Sequence, residues 1–136
     1  MRVIEFSALP EVAVQRDDMT QPQHSQPIVS RDATDTPLLV ADSIRWPAGF
    51  NHLLHRHDNG DQLTIVLEGE IIAYDDEREQ VVKAGSAVLF PNRSWHGIRT
   101  EVQATVLNFF PGIGAIADAG YEESDPPVSG GPQRSS

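Results

Sequence analysis

The chain contains no cysteine. That absence excludes disulfides, thiolate nucleophiles and cysteine-built zinc folds together. Basic residues are also scarce: ten Lys and Arg stand against 20 Asp and Glu, for a formal charge of −10. No basic patch forms anywhere along the chain, so neither a nucleic acid nor an anionic membrane is an expected partner. No apolar run approaches membrane-spanning length, and the first residues, Met1-Arg2-Val3-Ile4-Glu5, lack the apolar stretch of a signal peptide. A cytoplasmic protein is expected. Helix-period patterning of useful length is missing as well. The 136 residues suffice for one domain with its own core.

What is present is a series of short β-rich runs separated by turn residues. Residues 2–6 are strand-like, and residues 17–36 are polar, with Gln, Pro, His and Ser dominating 21–27. Residues 1–35 therefore read as an N-terminal arm, and His24 as a solvated loop residue. From residue 36 onward strands are expected at 38–46, 50–57, 63–67, 70–74, 79–83, 86–90, 95–100 and 103–110, with Glu68-Gly69 as a tight hairpin. Short strands with turn chemistry every 8 to 12 residues or so indicate an all-β sandwich or barrel. Residues 112–119 suit one helical turn, and 118–136, acidic and rich in Pro, Gly and Ser, read as a disordered tail. The barrel domain is placed at 36–117.

The chemistry concentrates between residues 49 and 100. His55 and His57 are separated by one residue, and on a strand such residues project from the same face, about 6 to 7 Å apart at the backbone. Gln62 follows just past the turn signal Asp58-Asn59-Gly60, and His96 opens a later strand-like run. Three imidazoles and one carboxamide oxygen would form a neutral four-ligand site for a divalent transition metal. Two plainer arrangements stand beside it: Gln62 turned away from the histidines, or a site holding no metal.

This spacing resembles that of the cupins, small double-sheet barrels of jelly-roll type. Their first motif runs Gly, five residues, His-x-His, three or four residues, Glu, six residues, Gly. Gly49, His55, His57 and Gly69 fit that frame, with Gln62 at the glutamate position. The second motif runs Gly, five residues, Pro-x-Gly, two residues, His, three residues, Asn. Gly85, Pro91 and His96 fit, while Arg93 replaces the glycine and Thr100 the asparagine. The resemblance implies a double-stranded β-helix, or jelly-roll barrel, whose interior holds one divalent metal (Zn, Fe, Ni, Co or Mn) at His55, His57, Gln62 and His96. It leaves the reaction open, because cupin chemistries vary widely.

Gln62 in place of a carboxylate keeps the full 2+ charge on the ion and so favours Lewis acidity. If His55 and His57 face inward, alternation puts Asn51 and Leu53 inward too and turns His52 outward; with His96 go Ile98 and Thr100. These four are the expected substrate-lining residues, in a mainly apolar interior suited to an apolar or aromatic small molecule. Tyr74, Asn108 and Phe110 are candidates for the mouth, and Trp46 and Trp95 for the core or an interface. No Lys or Arg is evidently placed for an anion, apart from Arg93 in the second-motif turn. No inward Asp or Glu is evident either, so the proton is expected to pass through metal-bound water, and no catalytic side chain is assigned. Three functions remain: non-redox turnover of an enolisable carbonyl compound in the manner of cupin-type polyketide cyclases, an Fe(II) dioxygenase at the same ligands, or a non-catalytic small-molecule sensor. The alternate residues Leu63, Ile65 and Leu67 leave an apolar row that needs covering, which points to a homodimer.

Overall fold

The computed structural model describes residues 1–36, 39–57, 60–111 and 121–122; for Arg31, Asp32, His57, Tyr121 and Glu122 the description is of the backbone. The expected helical turn at 112–119 lies outside the described residues, as does the tail apart from 121–122. The described strands are β1 (Val12–Val14), β2 (Gln23–Val29), β3 (Leu39–Trp46), β4 (Asn51–His57), β5 (Gln62–Glu68), β6 (Glu70–Tyr74), β7 (Glu79–Lys83), β8 (Ala87–Phe90), β9 (His96–Arg99), β10 (Ala104–Pro111) and β11 (Tyr121–Glu122). They form two sheets, one in the order β1-β2-β3-β10-β5-β8 and the other β11-β4-β9-β6-β7. The described pairings are antiparallel. This is the jelly-roll barrel.

Two features differ from the sequence expectation. The polar N-terminal segment, for which no strand was expected beyond residues 2–6, adds two strands to the six-stranded sheet. Gln23–Val29 forms a seven-residue strand paired with β3, and Met19 bridges to His52 on β4. Gln23, Ser25 and Pro27 of this strand border an internal cavity, so polar inward side chains are tolerated where a dry core would refuse them. Residues 2–6 give no strand, and a single 3-10 turn covers Phe6–Ala8.

Glu68-Gly69 also does not close a hairpin. β5 lies in one sheet and β6 in the other, and one residue is too few for the two-residue turn that would fold a strand back on its neighbour. Gly69, at φ 74°, turns the chain between the sheets. A Cβ there would lie 2.3 Å from the Gln103 carbonyl oxygen.

Alternation along the six-stranded sheet divides the interior into layers. Val66 on β5, Val106 on β10 and Ile44 on β3 are in register and almost fully buried, each contributing about 1.5–3 kcal/mol by leaving water. Trp46 and Phe50 stack beside this layer, with centroids 5.6 Å apart. The Trp46 indole N–H donates to Gln23 Oε1 at 2.9 Å, tying β2 to the core. The next layer, Thr64, Asn108 and Asp42, is polar. This change of character positions the site.

Candidate metal centre and cavity

His55 and His96 sit directly opposite each other on β4 and β9. Their rings are 4.4 Å apart, and both residues are almost fully buried. His55 Nδ1 lies 2.8 Å from the Leu53 carbonyl oxygen, and His96 Nδ1 lies 3.0 Å from that of Ser94. A carbonyl only accepts, so both protons reside on Nδ1 and the lone pairs on Nε2. That is the tautomer a metal-binding imidazole requires. Phe90 stacks on His96 at 4.1 Å and fixes its plane.

Gln62 is buried on the inward face of β5. Its Nε2 donates to Thr64 Oγ1 at 2.9 Å, and Thr64 Oγ1 donates to Asn108 Oδ1 at 2.5 Å. The carboxamide is thereby oriented, with Oε1 at the end opposite this bond. These donors fit a divalent transition ion: two neutral imidazoles of fixed tautomer and one fixed amide. The backbone of His57 continues β4, and its side chain lies outside the described residues.

His52 is not outward. The β4–β9 register shifts between His52 and His55, and the irregularity resets the alternation on which that expectation rested. His52 and His55, three residues apart, therefore both border the cavity, and their rings stack 3.7 Å apart. His52 Nε2 also lies 3.1 Å from Asp18 Oδ1, with both residues buried. Asp18, His52 and His55 offer ligand atoms within 4.8 Å of one another, a second grouping able to hold a cation. Strict alternation concealed His52, and Asp18 fell in the supposed arm. The signal for Asp18 was weak: an Asp-Asp pair before Met19 in a polar run.

The cavity measures about 230 Å³. Ile98 borders it, whereas Asn51, Leu53 and Thr100 are not among its lining residues. Asn51 Oδ1 accepts from the Tyr74 hydroxyl at 2.6 Å. The Thr100 hydroxyl donates to the Pro47 carbonyl at 2.6 Å and accepts from the Phe50 N–H at 3.2 Å, which makes it a structural pin. Asn108, Phe110 and Trp46 also line the cavity, while Tyr74 and Trp95 border a separate hollow of about 420 Å³ that His96 also borders.

Two charged residues correct the sequence reading of the interior. Arg16, from the segment between β1 and β2, borders the cavity, although no arginine of that segment was expected there. Asp42 on β3 borders it too, an inward carboxyl where none was evident. Burial pushes its pKa up to about 6. β-alternation puts Asp42 on the same face as Ile44 and Trp46, and that spacing is its signal in the sequence.

Residues 42–110 match the family described as Cupin domain. The chain belongs to the cupin family. Among solved structures this cupin resembles the polyketide cyclase RemF from Streptomyces resistomycificus, with TM-score 0.73 and 16% identity over 82% of this chain and 79% of that one. It also resembles a predicted oxalate decarboxylase from Thermotoga maritima, with TM-score 0.72 and 17% identity over 81% and 98%. A cupin-superfamily sugar phosphate isomerase from Silicibacter pomeroyi DSS-3 gives TM-score 0.66 and 20% identity over 81% and 75%. At these identities the likeness is one of fold. YdbB, an uncharacterized protein of Bacillus subtilis (strain 168), is 39% identical over 54 residues, 39% of this chain and 48% of its own. The chain thus spans about half the length of that curated relative.

Proposed function

We propose that this cupin is a metal-dependent enzyme that acts on a small enolisable carbonyl compound and promotes a cyclisation, isomerisation or related lyase step without redox change. The observation that carries the reading is the pair His55 and His96, buried with rings 4.4 Å apart and both Nδ1 atoms committed to main-chain carbonyls. His55, His57, Gln62 and His96 would hold the ion. A divalent ion in this neutral donor set supplies Lewis acidity, which makes a carbonyl more electrophilic and its α-proton more acidic.

The chain's own residues supply the rest. Ile98, Ile44 and Phe110 give the cavity an apolar lining that excludes water and strengthens the polar contacts made inside. Its volume of about 230 Å³ falls below the roughly 300–1,000 Å³ typical of drug-sized ligands. The preferred substrate is accordingly small, of one or two rings. RemF is described as a polyketide cyclase, and that chemistry accords with this reading. The test is elemental analysis of protein purified without a metal-binding tag, with turnover of β-dicarbonyl compounds. His57→Ala is expected to lose both metal and turnover; activity retained in the metal-free variant overturns the proposal.

A second reading is favoured by one observation. Asp18, His52 and His55 present two imidazoles and a carboxylate within 4.8 Å, the donor combination of non-haem Fe(II) oxygenases. Oxygen consumption supported by iron and not by zinc would select that alternative.

We also infer a homodimer that covers the outer face of the six-stranded sheet, and a cytoplasmic location. Leu63, Leu67 and Leu89 are each more than a third exposed on that face. Among the described residues no helix is long and apolar enough to cross a membrane.

A further inference from the structure

Asp42 breaks the rule that a carboxyl turned toward a protein's interior comes with a partner. On β3, Val40, Ile44 and Trp46 are buried on the face that Asp42 shares, Ala41 and Ser43 are buried on the other face, and Asp42 itself is half-buried. Its neighbours in register are Pro27 on β2 and Asn108 on β10. Pro27 has no N–H, and its ring is apolar. Asn108 accepts from Thr64 through its Oδ1, so its amide nitrogen is the donor end of the row Gln62–Thr64–Asn108. Among the described residues, no hydrogen bond or ion pair to the Asp42 carboxyl is found. Folding gains nothing from such a group, and residues that work against the fold in a cavity are candidates for chemistry.

The placement relative to the imidazoles gives that chemistry a form. Asp42 lies on the six-stranded sheet and His55 on the five-stranded sheet, yet both border one cavity of about 230 Å³. Facing sheets are separated by about 10 Å, enough for a flat molecule to lie between the two walls. A carbonyl directed at the imidazole wall would present its α-carbon toward the carboxyl wall.

We propose that Asp42 is the catalytic residue that takes the α-proton of the bound carbonyl compound and returns it after rearrangement. This rests on the enolising reading above and adds the identity of the base. In the forward step the substrate C–H bond breaks and an O–H bond forms on the Asp42 carboxylate. The electron pair left on carbon delocalises onto the carbonyl oxygen, giving the enolate. In the return step the Asp42 proton passes to carbon, the enolate collapses to a carbonyl, and the carboxylate is restored. No oxidant or reductant enters.

The raised pKa supports the assignment, because a carboxylate near 6 is a stronger base than an ordinary one and still ionised at neutral pH. Among the described residues, the other ionisable groups bordering this cavity are Arg16, from the segment before β2, and His52 and His55 on β4. Asp18 lies against His52. The flanking strands β2 and β10 turn only Gln23, Ser25, Pro27, Asn108 and Phe110 toward the cavity.

The experiment follows deuterium uptake at the α-carbon of ethyl 2-methylacetoacetate by NMR, using zinc-loaded full-length protein and its Asp42→Asn variant. Metal content and probe affinity are measured in parallel. The variant is expected to keep its zinc and to bind the probe within about threefold, while exchange falls about 100-fold or more. Asp42→Glu is expected to restore part of the rate. The wild-type rate is expected to fall on the acid side with a midpoint near pH 6, a limb missing from Asp42→Asn. Exchange undiminished in Asp42→Asn, or a wild-type profile without the acid limb, overturns the assignment of Asp42 and leaves the enolising reading intact. No exchange above buffer in the zinc-loaded wild type overturns the enolising reading and Asp42 with it.

Discussion

The imidazoles of His52 and His55 stack face to face at 3.7 Å, although they are three residues apart on a strand. An undistorted strand would send them to opposite faces. The register shift in β4 brings them together, and Asp18, 3.1 Å from His52 Nε2, holds the outer ring in place. Asp18 thus orients His52, and His52 in turn flanks the ring that faces His96.

That relationship separates the two candidate donor sets. If the ion is held by His55, His57, Gln62 and His96, Asp18 acts only through His52, which is then no ligand, so Asp18→Asn keeps stoichiometric zinc binding and weakens it by less than the roughly 10-fold that loss of a ligand's own partner costs. If Asp18 is itself a ligand, the same change abolishes stoichiometric binding. Competition titration against a chromophoric chelator reads the difference, with His55→Ala as the variant that loses binding under either arrangement.

Asp42 makes stability depend on pH in a defined direction. Burial raises its folded pKa to about 6, above the ordinary 3.8, so ionisation is harder in the folded state. Its favourable contribution is complete below about pH 4 and is lost as pH rises through 6. Asp42→Asn is expected to be the more stable protein at pH 7, by up to about 3 kcal/mol, and to converge with wild type near pH 4. Urea unfolding of both proteins between pH 4 and 8 measures this. A variant less stable at pH 7 would mean that the carboxylate supports the fold.

The motif turns carry a matched pair of backbone predictions. Gly69 has φ 74° and no room for a Cβ, which would lie 2.3 Å from the Gln103 carbonyl oxygen. Gly69→Ala therefore combines a left-handed backbone with a clash against main chain, and a loss above about 2 kcal/mol is expected. Arg93 stands where the second cupin motif has glycine, yet keeps the left-handed backbone at φ 66°. Arg93→Gly removes the steric cost and is expected to gain up to about 1 kcal/mol. Thermal melts of the two variants should move in opposite directions.

The same contrast shows what the sequence could disclose. Glycines at 49, 69 and 85 in fixed register with histidines identified the barrel, because each serves a positive φ that other residues rarely adopt. Strands with apolar alternation, such as β5 and β10, were legible from period alone. The N-terminal strand was not, since Gln23 and Ser25 face a cavity and so carry no apolar signature. The juxtaposition of His55 and His96 was legible from the motif spacing. His52 was hidden by an irregularity that no local residue announces, and Asp18 by a pairing with β4 over a span of some thirty residues. Asp42 was readable from alternation, yet a carboxyl in a strand is ordinarily assigned to the wet face.

The outer face of the six-stranded sheet makes a prediction about assembly. Leu63 lies opposite Leu89 on β8 and Phe109 on β10, and Ile65 lies opposite Leu107, giving a continuous apolar surface with Leu89 59% exposed. Leu89→Glu places a charge on this surface, at the edge strand β8. The wild type is expected to run as a dimer and the variant as a monomer in light scattering at micromolar concentration, with unchanged circular dichroism. A monomeric wild type would discard the homodimer.

Gln62→Glu tests whether the carboxamide is a ligand chosen for its neutrality. Gln62 Nε2 donates to Thr64 Oγ1, whose single proton is already given to Asn108. A carboxylate in that place would meet a lone pair, so without metal the variant is expected to lose about 1–3 kcal/mol. With metal the order reverses. The added negative charge strengthens the hold on a divalent cation and lowers its Lewis acidity, so zinc affinity should rise by tenfold or more while turnover falls. Melting temperatures with and without zinc, together with chelator competition, resolve the two effects. Unaltered zinc affinity in the variant would show that residue 62 points away from the ion and that the histidines bind it alone.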